Sequence, residues 1–200
     1  MPKLQLLLAF TLLLAYFALH SLLAADRVKA WFSGRSGAGF RYYRLIYNIL
    51  AGVLLVLILG WMAKWPPKPL FETNLWTQGA ALVLFCIGIW LTVGSLLRYD
   101  LGEFTGIQQI RQKNSLPNHS SLNISGFNAW VRHPLYLGMI LVLTGLFLFF
   151  PTLSALLLLC SVLVYLPFGI YFEEKKLILQ FGQEYLEYSK RVKRLVPWVW

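Results

Sequence analysis

Charge is scarce in this chain. Only 13% of its 200 residues are Asp, Glu, Lys or Arg, and just 8 are acidic. An ordinary soluble domain carries about 25% charged residues. With 58% hydrophobic residues, a water-soluble globule is excluded. The 2 cysteines, Cys86 and Cys160, each fall inside an apolar run. Their spacing matches neither a metal site nor a disulfide framework, so they read as packing residues and no metal site is expected. Internal repeats, low-complexity tracts and lipidation motifs are missing. No contiguous basic stripe occurs outside the C-terminus, so the net charge of +10 does not point to nucleic acid.

What the chain has instead is long apolar runs. Leu4 to Leu23, Tyr43 to Ala63, Leu75 to Leu97, Leu135 to Phe150 and Leu153 to Tyr171 each approach the length needed to cross a bilayer. None contains Asp, Glu, Lys or Arg between its polar ends. The fold class is therefore all-α: an integral membrane protein of about five transmembrane helices in one domain, residues 1–200. A cleaved signal peptide competes for the first run, but that run is long for one and contains Tyr16 and His20, which favours a retained helix. Residues 24–42, basic and glycine-containing, read as a loop. Trp65-Pro66-Pro67-Lys68-Pro69 reads as a rigid connection. Tyr43, Tyr47 and Asn48 share a helix face, and Asn48 is expected to point inward. The longest polar segment, Arg98 to Arg132, holds Asn-x-Ser sequons at Asn118 and Asn123. Pro151-Thr152 alone separates the last two runs, which makes them a tight hairpin, and Pro167 should kink the second of them. Leu177, Phe181, Tyr185, Tyr188 and Val192 trace the apolar face of a C-terminal amphipathic helix, with Gly182 as its interruption. Trp198 and Trp200 read as an interfacial anchor.

Five spans put the chain ends on opposite sides. Lys3, Lys64 and Lys68 then fall on one side, against 15 Lys and Arg residues on the other. The positive-inside rule gives an N-terminus outside and a C-terminus in the cytoplasm. Arg132-His133-Pro134 and Glu173-Glu174 thereby share the cytoplasmic side, and the hairpin brings them close. Pro134 suits the first position of a helix, and Arg132 and His133 flank a helix start that favours anions. With two glutamates opposite, such a site could hold a zwitterion: an α-carboxylate on Arg132 and the helix start, an ammonium or ribose diol on a Glu. S-adenosylmethionine carries all three groups, and its sulfonium could rest by tyrosine rings. The plainer alternative stays open: Arg132 as a membrane-edge residue and the Glu pair as a solvated helix end.

Arg132-His133-Pro134-Leu135-Tyr136-Leu137-Gly138, a hairpin, Glu173-Glu174, then Phe181-Gly182-x-x-Tyr185-x-x-Tyr188-x-x-x-Val192 and Pro197, resembles the C-terminal half of the isoprenylcysteine carboxyl methyltransferase superfamily. The match covers roughly residues 126–198. Upstream, His20-Ser21, Asp100-Leu101 and Gly106-Ile107-Gln108-Gln109 are similar to the branch containing methanethiol S-methyltransferases and NnrU-like proteins. The resemblance implies an S-adenosylmethionine-dependent methyltransferase divided into a three-helix part (1–97), a cytoplasmic loop (98–133) and a cofactor-binding hairpin with its C-terminal helix (134–200). It implies a cofactor pocket built from Arg132, His133, Pro134, Tyr136, Leu137, Gly138, Glu173, Glu174 and Tyr185. The acceptor, a thiol or a carboxylate on a small or lipid-like molecule, would reach the site from the bilayer. A carboxylate acceptor needs no base; a thiol does, because the thiolate is the nucleophile. His133 and Glu174 are the catalytic candidates, with His20 as a further one for that proton. Membrane sterol and steroid reductases share a similar stretch and use NADPH, but carry an acidic residue after the glycine where this chain has Met139. A non-enzymatic NnrU-like scaffold is the third reading. The brevity of the chain fits a bacterial cytoplasmic membrane.

Overall fold

The computed structural model describes residues 3–36, 42–98 and 122–196. Arg41, Asp100-Leu101, Gly106 to Gln109, Arg111, the sequon at Asn118 and the Pro197–Trp200 anchor lie outside that set. The chain divides into two compact units, Met1–Pro66 with Tyr99–Asn118, and Pro67–Arg98 with His119–Trp200.

The first unit holds α1 (Lys3–Ala24), α2 (Asp26–Ser36) and α3 (Tyr43–Met62). α1 and α3 are long and apolar enough to cross a membrane, and they pack on each other. Ala9 and Leu13 are buried on α1; Tyr47, Ala51 and Met62 are buried on α3. The Tyr43 hydroxyl donates to the Leu23 carbonyl at 2.9 Å, and Asn48 is half-buried, as its polarity demands. α2 corrects the expectation of a loop. Val28 and Lys29 both donate backbone N–H groups to the Ala25 carbonyl, so the chain re-enters a helix one residue after α1 ends. Proline is missing from this stretch, and Gly34 falls only in the last turn, where it costs little.

The second unit holds α4 (Leu75–Leu96), α5 (Pro134–Phe149), α6 (Leu153–Phe181) and α7 (Gln183–Arg191), with one 3₁₀ turn at Gly126–Ala129. α4 opens on a reciprocal cap in which Asn74 Oδ1 accepts from the Thr77 N–H at 2.9 Å and Thr77 Oγ1 from the Asn74 N–H at 2.8 Å. Trp76, 86% exposed, stands at this end as an interfacial residue would. α4 and α5 run antiparallel at backbone contact. A Cβ on Gly88 would lie 2.6 Å from the Val142 amide nitrogen, and one on Gly145 2.7 Å from the Ala81 carbonyl oxygen. Small residues at Ala81, Gly88 and Ser95 recur every seven positions, all buried, and let the backbones meet where lipid gives no hydrophobic drive. Beyond them, the Phe127 ring fills the space beside Gly94 and carries Arg98 over its face at 5.6 Å. This docks the turn that leads into α5.

Thr152 caps α6, with Oγ1 accepting from the Ala155 N–H at 3.3 Å, and the hairpin turn is tight as expected, with Phe150 joining Pro151 and Thr152 in the connection. Pro167 lies inside α6. The sixteen residues of α5 rise about 24 Å, short of the roughly 30 Å bilayer core. α6 is longer than the apolar run suggested. It continues without a break through Glu173 and Glu174 to Phe181, and its 29 residues rise about 43 Å, so its last turns project past the hydrocarbon. The break comes at Gly182, where φ is +55°. The C-terminal amphipathic face is therefore split. Leu177 and Phe181 belong to α6, while Tyr185 and Tyr188 are buried from α7.

The helix contact predicts a graded response. Gly88→Leu should lower the melting temperature in detergent sharply, since overpacking costs about 1–3 kcal/mol even where neighbours can shift and backbone here cannot. Gly60→Leu on α3, whose Cβ position is open, is the control and should leave it unchanged; equal loss in both would disprove the close crossing.

Candidate functional site

The site begins with Pro134, buried as the first residue of α5. The residue before it, His133, has no side-chain capping bond, and its imidazole turns to α6 instead. His133 Nε2–H donates to Glu174 Oε1 at 3.3 Å, and its Nδ1 stands 3.6 Å from Glu173 Oε2. The Tyr136 ring stacks on the imidazole at 5.5 Å. Arg132 Nη2 lies 3.0 Å from the same Glu174 Oε1, and its Nη1 donates to the Ser189 carbonyl at 3.4 Å. The other oxygen, Glu174 Oε2, accepts from Arg194 Nε at 3.1 Å and Nη2 at 2.9 Å.

The backbone holds this arrangement. Val131 and Lys193 form a parallel bridge. The Arg132 N–H donates to the Lys193 carbonyl at 2.7 Å and the His133 N–H to the Arg194 carbonyl at 3.0 Å. One turn of chain back, the Tyr188 hydroxyl donates to the Asn128 carbonyl at 2.6 Å. Beneath lies an apolar cluster of Leu166, Ile170 and Leu195, against which Tyr136, Leu137, Met139 and Ile140 pack.

The hairpin thus joins the Arg132-His133 turn to the glutamates, but the glutamates differ. Glu174 is buried, its side chain 9% exposed, whereas Glu173 is 38% exposed. Burial alone would raise the Glu174 carboxyl. Hydrogen bonds from His133 and Arg194, with the charges of Arg132 and Arg194, outweigh it and hold the group at about 2. A carboxylate so saturated is a poor proton acceptor, which removes the geometric case for Glu174 as a general base. Tyr185 is buried and its hydroxyl is raised well above the ordinary value, first by burial and then by the negative charge of Glu174. Gly138 has a packing role of its own. It faces α4, where a Cβ would lie 2.5 Å from Thr92 Oγ1, so its smallness serves the helix crossing. Leu137 is apolar packing beneath the cluster. His20 belongs to the first unit, half-buried at 6.0 Å from the Tyr47 ring.

Arg194 is the residue that reading the sequence missed. It was one of six C-terminal basic residues counted toward membrane orientation. Its apolar neighbours, Val192 and Leu195, were the available sign that this stretch is not a plain solvated run.

Among the described residues, three buried polar atoms at the cluster have no hydrogen-bond partner: Arg132 Nε, Glu173 Oε2 and Tyr185 Oη. Buried polar groups are ordinarily satisfied, so such a group of orphans is where a polar ligand would be met. A cationic donor, a carboxylate oxygen and a hydroxyl match the chemistry of an amino-acid end, and so fit S-adenosylmethionine by donor type. The apolar cleft of about 220 Å³ lined by Phe85, Gly145 and Phe149 is at the opposite, hairpin-turn end of α5 and is no part of this cluster.

A family model described as NnrU protein matches residues 7–199. Among curated relatives, methanethiol S-methyltransferase 1 of Bradyrhizobium diazoefficiens is 31% identical over 94% of this chain, which spans 65% of that protein's length. The methanethiol S-methyltransferase of Mycobacterium tuberculosis is 29% identical over 93% of this chain and 76% of its own. Nurim of Homo sapiens is 33% identical over 50% of this chain and 39% of its own. No solved structure matches.

The depressed Glu174 carboxyl sets a pH dependence. Its folded value of about 2 lies below the ordinary 4.5, so its contribution is complete above about pH 5 and is lost as pH falls toward 2. At about 1.4 kcal/mol per unit this is on the order of 3 kcal/mol. Melting temperatures in detergent from pH 7 to pH 3 should fall below about pH 4.5 in the parent chain. Glu174→Gln should melt lower at pH 7 and show a flatter acid limb; parallel limbs would refute the assignment.

Proposed function

The chain belongs to the NnrU family, and on that footing we propose that it is an integral membrane S-adenosylmethionine-dependent methyltransferase whose acceptor is a small thiol. The observation that carries this reading is the convergence of the matched motif residues on one spot, where Arg132 Nε, Glu173 Oε2 and Tyr185 Oη lack a hydrogen-bond partner among the described residues. The thiol is chosen over a carboxylate because relatives aligned along nearly the whole chain are named methanethiol S-methyltransferases.

When bound, S-adenosylmethionine supplies a methyl group on a sulfonium and a neutral thioether leaving group. The chain has correspondingly little covalent work to do. Arg132, Glu173 and Tyr185 hold the polar end, and Tyr136 extends the wall from His133. Glu174 fixes Arg132 and His133 in place and takes no proton. Because His133 donates from Nε2 to Glu174, its Nδ1 is the nitrogen left to accept a proton from a thiol. Alignment of the thiolate with the methyl, and exclusion of water, supply the rest. The cluster sits on the cytoplasmic face of a bacterial cytoplasmic membrane, the N-terminus lying outside and the C-terminus inside.

Purified protein in detergent should bind S-adenosylmethionine and transfer its labelled methyl group to methanethiol, giving dimethyl sulfide. His133→Ala should cut transfer by about 10²-fold or more, in the range of a lost acid–base group. Binding of NADPH in place of S-adenosylmethionine would favour the reductase reading, and binding of neither would leave a scaffold protein. For orientation, a cysteine introduced at Asn123 should resist an impermeant thiol reagent added outside intact cells and react once they are opened; labelling from outside would reverse the topology.

A further inference from the structure

The Arg194–Glu174 pair has an unbalanced geometry. An arginine fork meets a carboxylate best when its two N–H groups bond to two different oxygens. Here Arg194 Nε and Nη2 both converge on Glu174 Oε2. The other oxygen of that carboxylate, Oε1, is engaged by Arg132 Nη2 and His133 Nε2. Exposure separates the two arginines as well. The Arg132 side chain is 11% exposed, with Nη2 on Glu174 and Nη1 on the Ser189 carbonyl, whereas that of Arg194 is 37% exposed. Arg194 is thus the more accessible of the two arginines to an incoming anion. Its departure would leave Glu174 still held by Arg132 and His133.

We infer that the Arg194–Glu174 ion pair stands in for the zwitterionic end of the methyl donor and opens to admit it. The α-carboxylate takes the Arg194 fork side-on through both oxygens, and the α-ammonium takes the released Glu174 Oε2. Each charge exchanges an internal partner for an external one of the same sign, so no charge is left buried and alone, which is the costly outcome. Glu173 Oε2, unpaired and on the same helix, is the second acceptor available to that ammonium. Arg132, the position expected from the sequence for the carboxylate, keeps Glu174 oriented through Nη2 and offers only its Nε to the ligand. Arg194 is accordingly a ligand-binding residue for the proposed reaction, and this inference rests on the methyltransferase reading above.

The test compares two ligands on the full-length protein in detergent: S-adenosylmethionine and its decarboxylated analogue, which keeps the amine and lacks the carboxylate. Arg194→Ala should weaken binding of S-adenosylmethionine by about 10- to 100-fold, the scale of a lost charge-assisted hydrogen bond. The same change should leave the decarboxylated analogue within about 2-fold, or bind it more tightly, since no internal pair must then be broken. Arg194→Lys, which keeps the charge without the fork, should fall between, and it carries the comparison if the alanine variant does not fold. Equal loss for both ligands would make Arg194 a purely structural residue and overturn the inference, as would unchanged affinity for S-adenosylmethionine. If the parent chain binds neither ligand, the methyltransferase reading itself fails and takes this one with it.

Discussion

A carboxylate taken out of water must be repaid in hydrogen bonds and opposite charge, and Glu174 draws the second unit together by that demand. An isolated buried carboxylate would protonate instead of staying ionised. Glu174 stays ionised because Arg132, His133 and Arg194 reach it from two separate stretches of chain. One stretch is the turn into α5, and the other is the segment that follows α7. α6 supplies the carboxylate itself. The backbone bonds between 132–133 and 193–194 are the consequence: once both arginines point at one carboxylate, their main chains lie side by side. Whether such a cluster adds net stability over an apolar equivalent is a separate question, because desolvation offsets much of the attraction. What it does fix is geometry, because the turn into α5, α6 and the segment after α7 all meet at one carboxylate.

That geometry also depends on where α5 begins, and α5 is set by its crossing with α4. Three glycine positions at backbone contact, with Gly88 on α4 lying in height between Gly138 and Gly145 on α5, leave little freedom to slide or rotate. Phe127 against Gly94 extends the same contact beyond the end of the helix and aims the chain toward Arg132. The apolar crossing and the charged cluster are therefore one construction. The first presents the helix start, and the second ties that start to α6 and to the C-terminal segment.

Much of this was legible in the sequence, for identifiable reasons. Apolar runs reveal spans because bilayer thickness fixes their length, and the two-residue Pro151-Thr152 connection forces its flanking helices antiparallel. Hence the closeness of the Arg132-His133 turn to the Glu173-Glu174 pair could be read before any coordinates. Other features depend on long-range packing. The α2 segment has loop composition, yet nothing in it forbids a helix, and the Ala25 carbonyl starts one. Gly138 sits in the motif by position, but its neighbour is Thr92, forty-six positions away in the chain. Arg194 looks like a membrane-edge cation because its partner lies on another helix. α6 runs through the polar Glu173-Glu174-Lys175-Lys176 stretch because these are adequate helix formers; only Gly182, free to adopt a positive φ, stops it. The change from apolar to charged residues marks where α6 leaves the bilayer, which composition reports, and not where it ends, which composition does not.

The two adjacent glutamates show how much one residue of helical phase decides. Successive side chains on an α-helix point about 100° apart. Glu174 therefore faces inward to the arginines, and Glu173 turns toward the rim with one oxygen short of a partner. Exchanging their roles would require rotating α6, which Leu166 and Ile170, buried on the inward face, oppose. The pair is thus a division of labour and not a duplication. The inner carboxylate, saturated and held near 2, organises the cations around it. The outer one keeps the unmet hydrogen-bonding capacity that recognition of a cationic ligand requires. The inner carboxylate can meet a ligand only by giving up Arg194, which it can spare because Arg132 and His133 remain, whereas the outer one has an oxygen to offer without giving anything up.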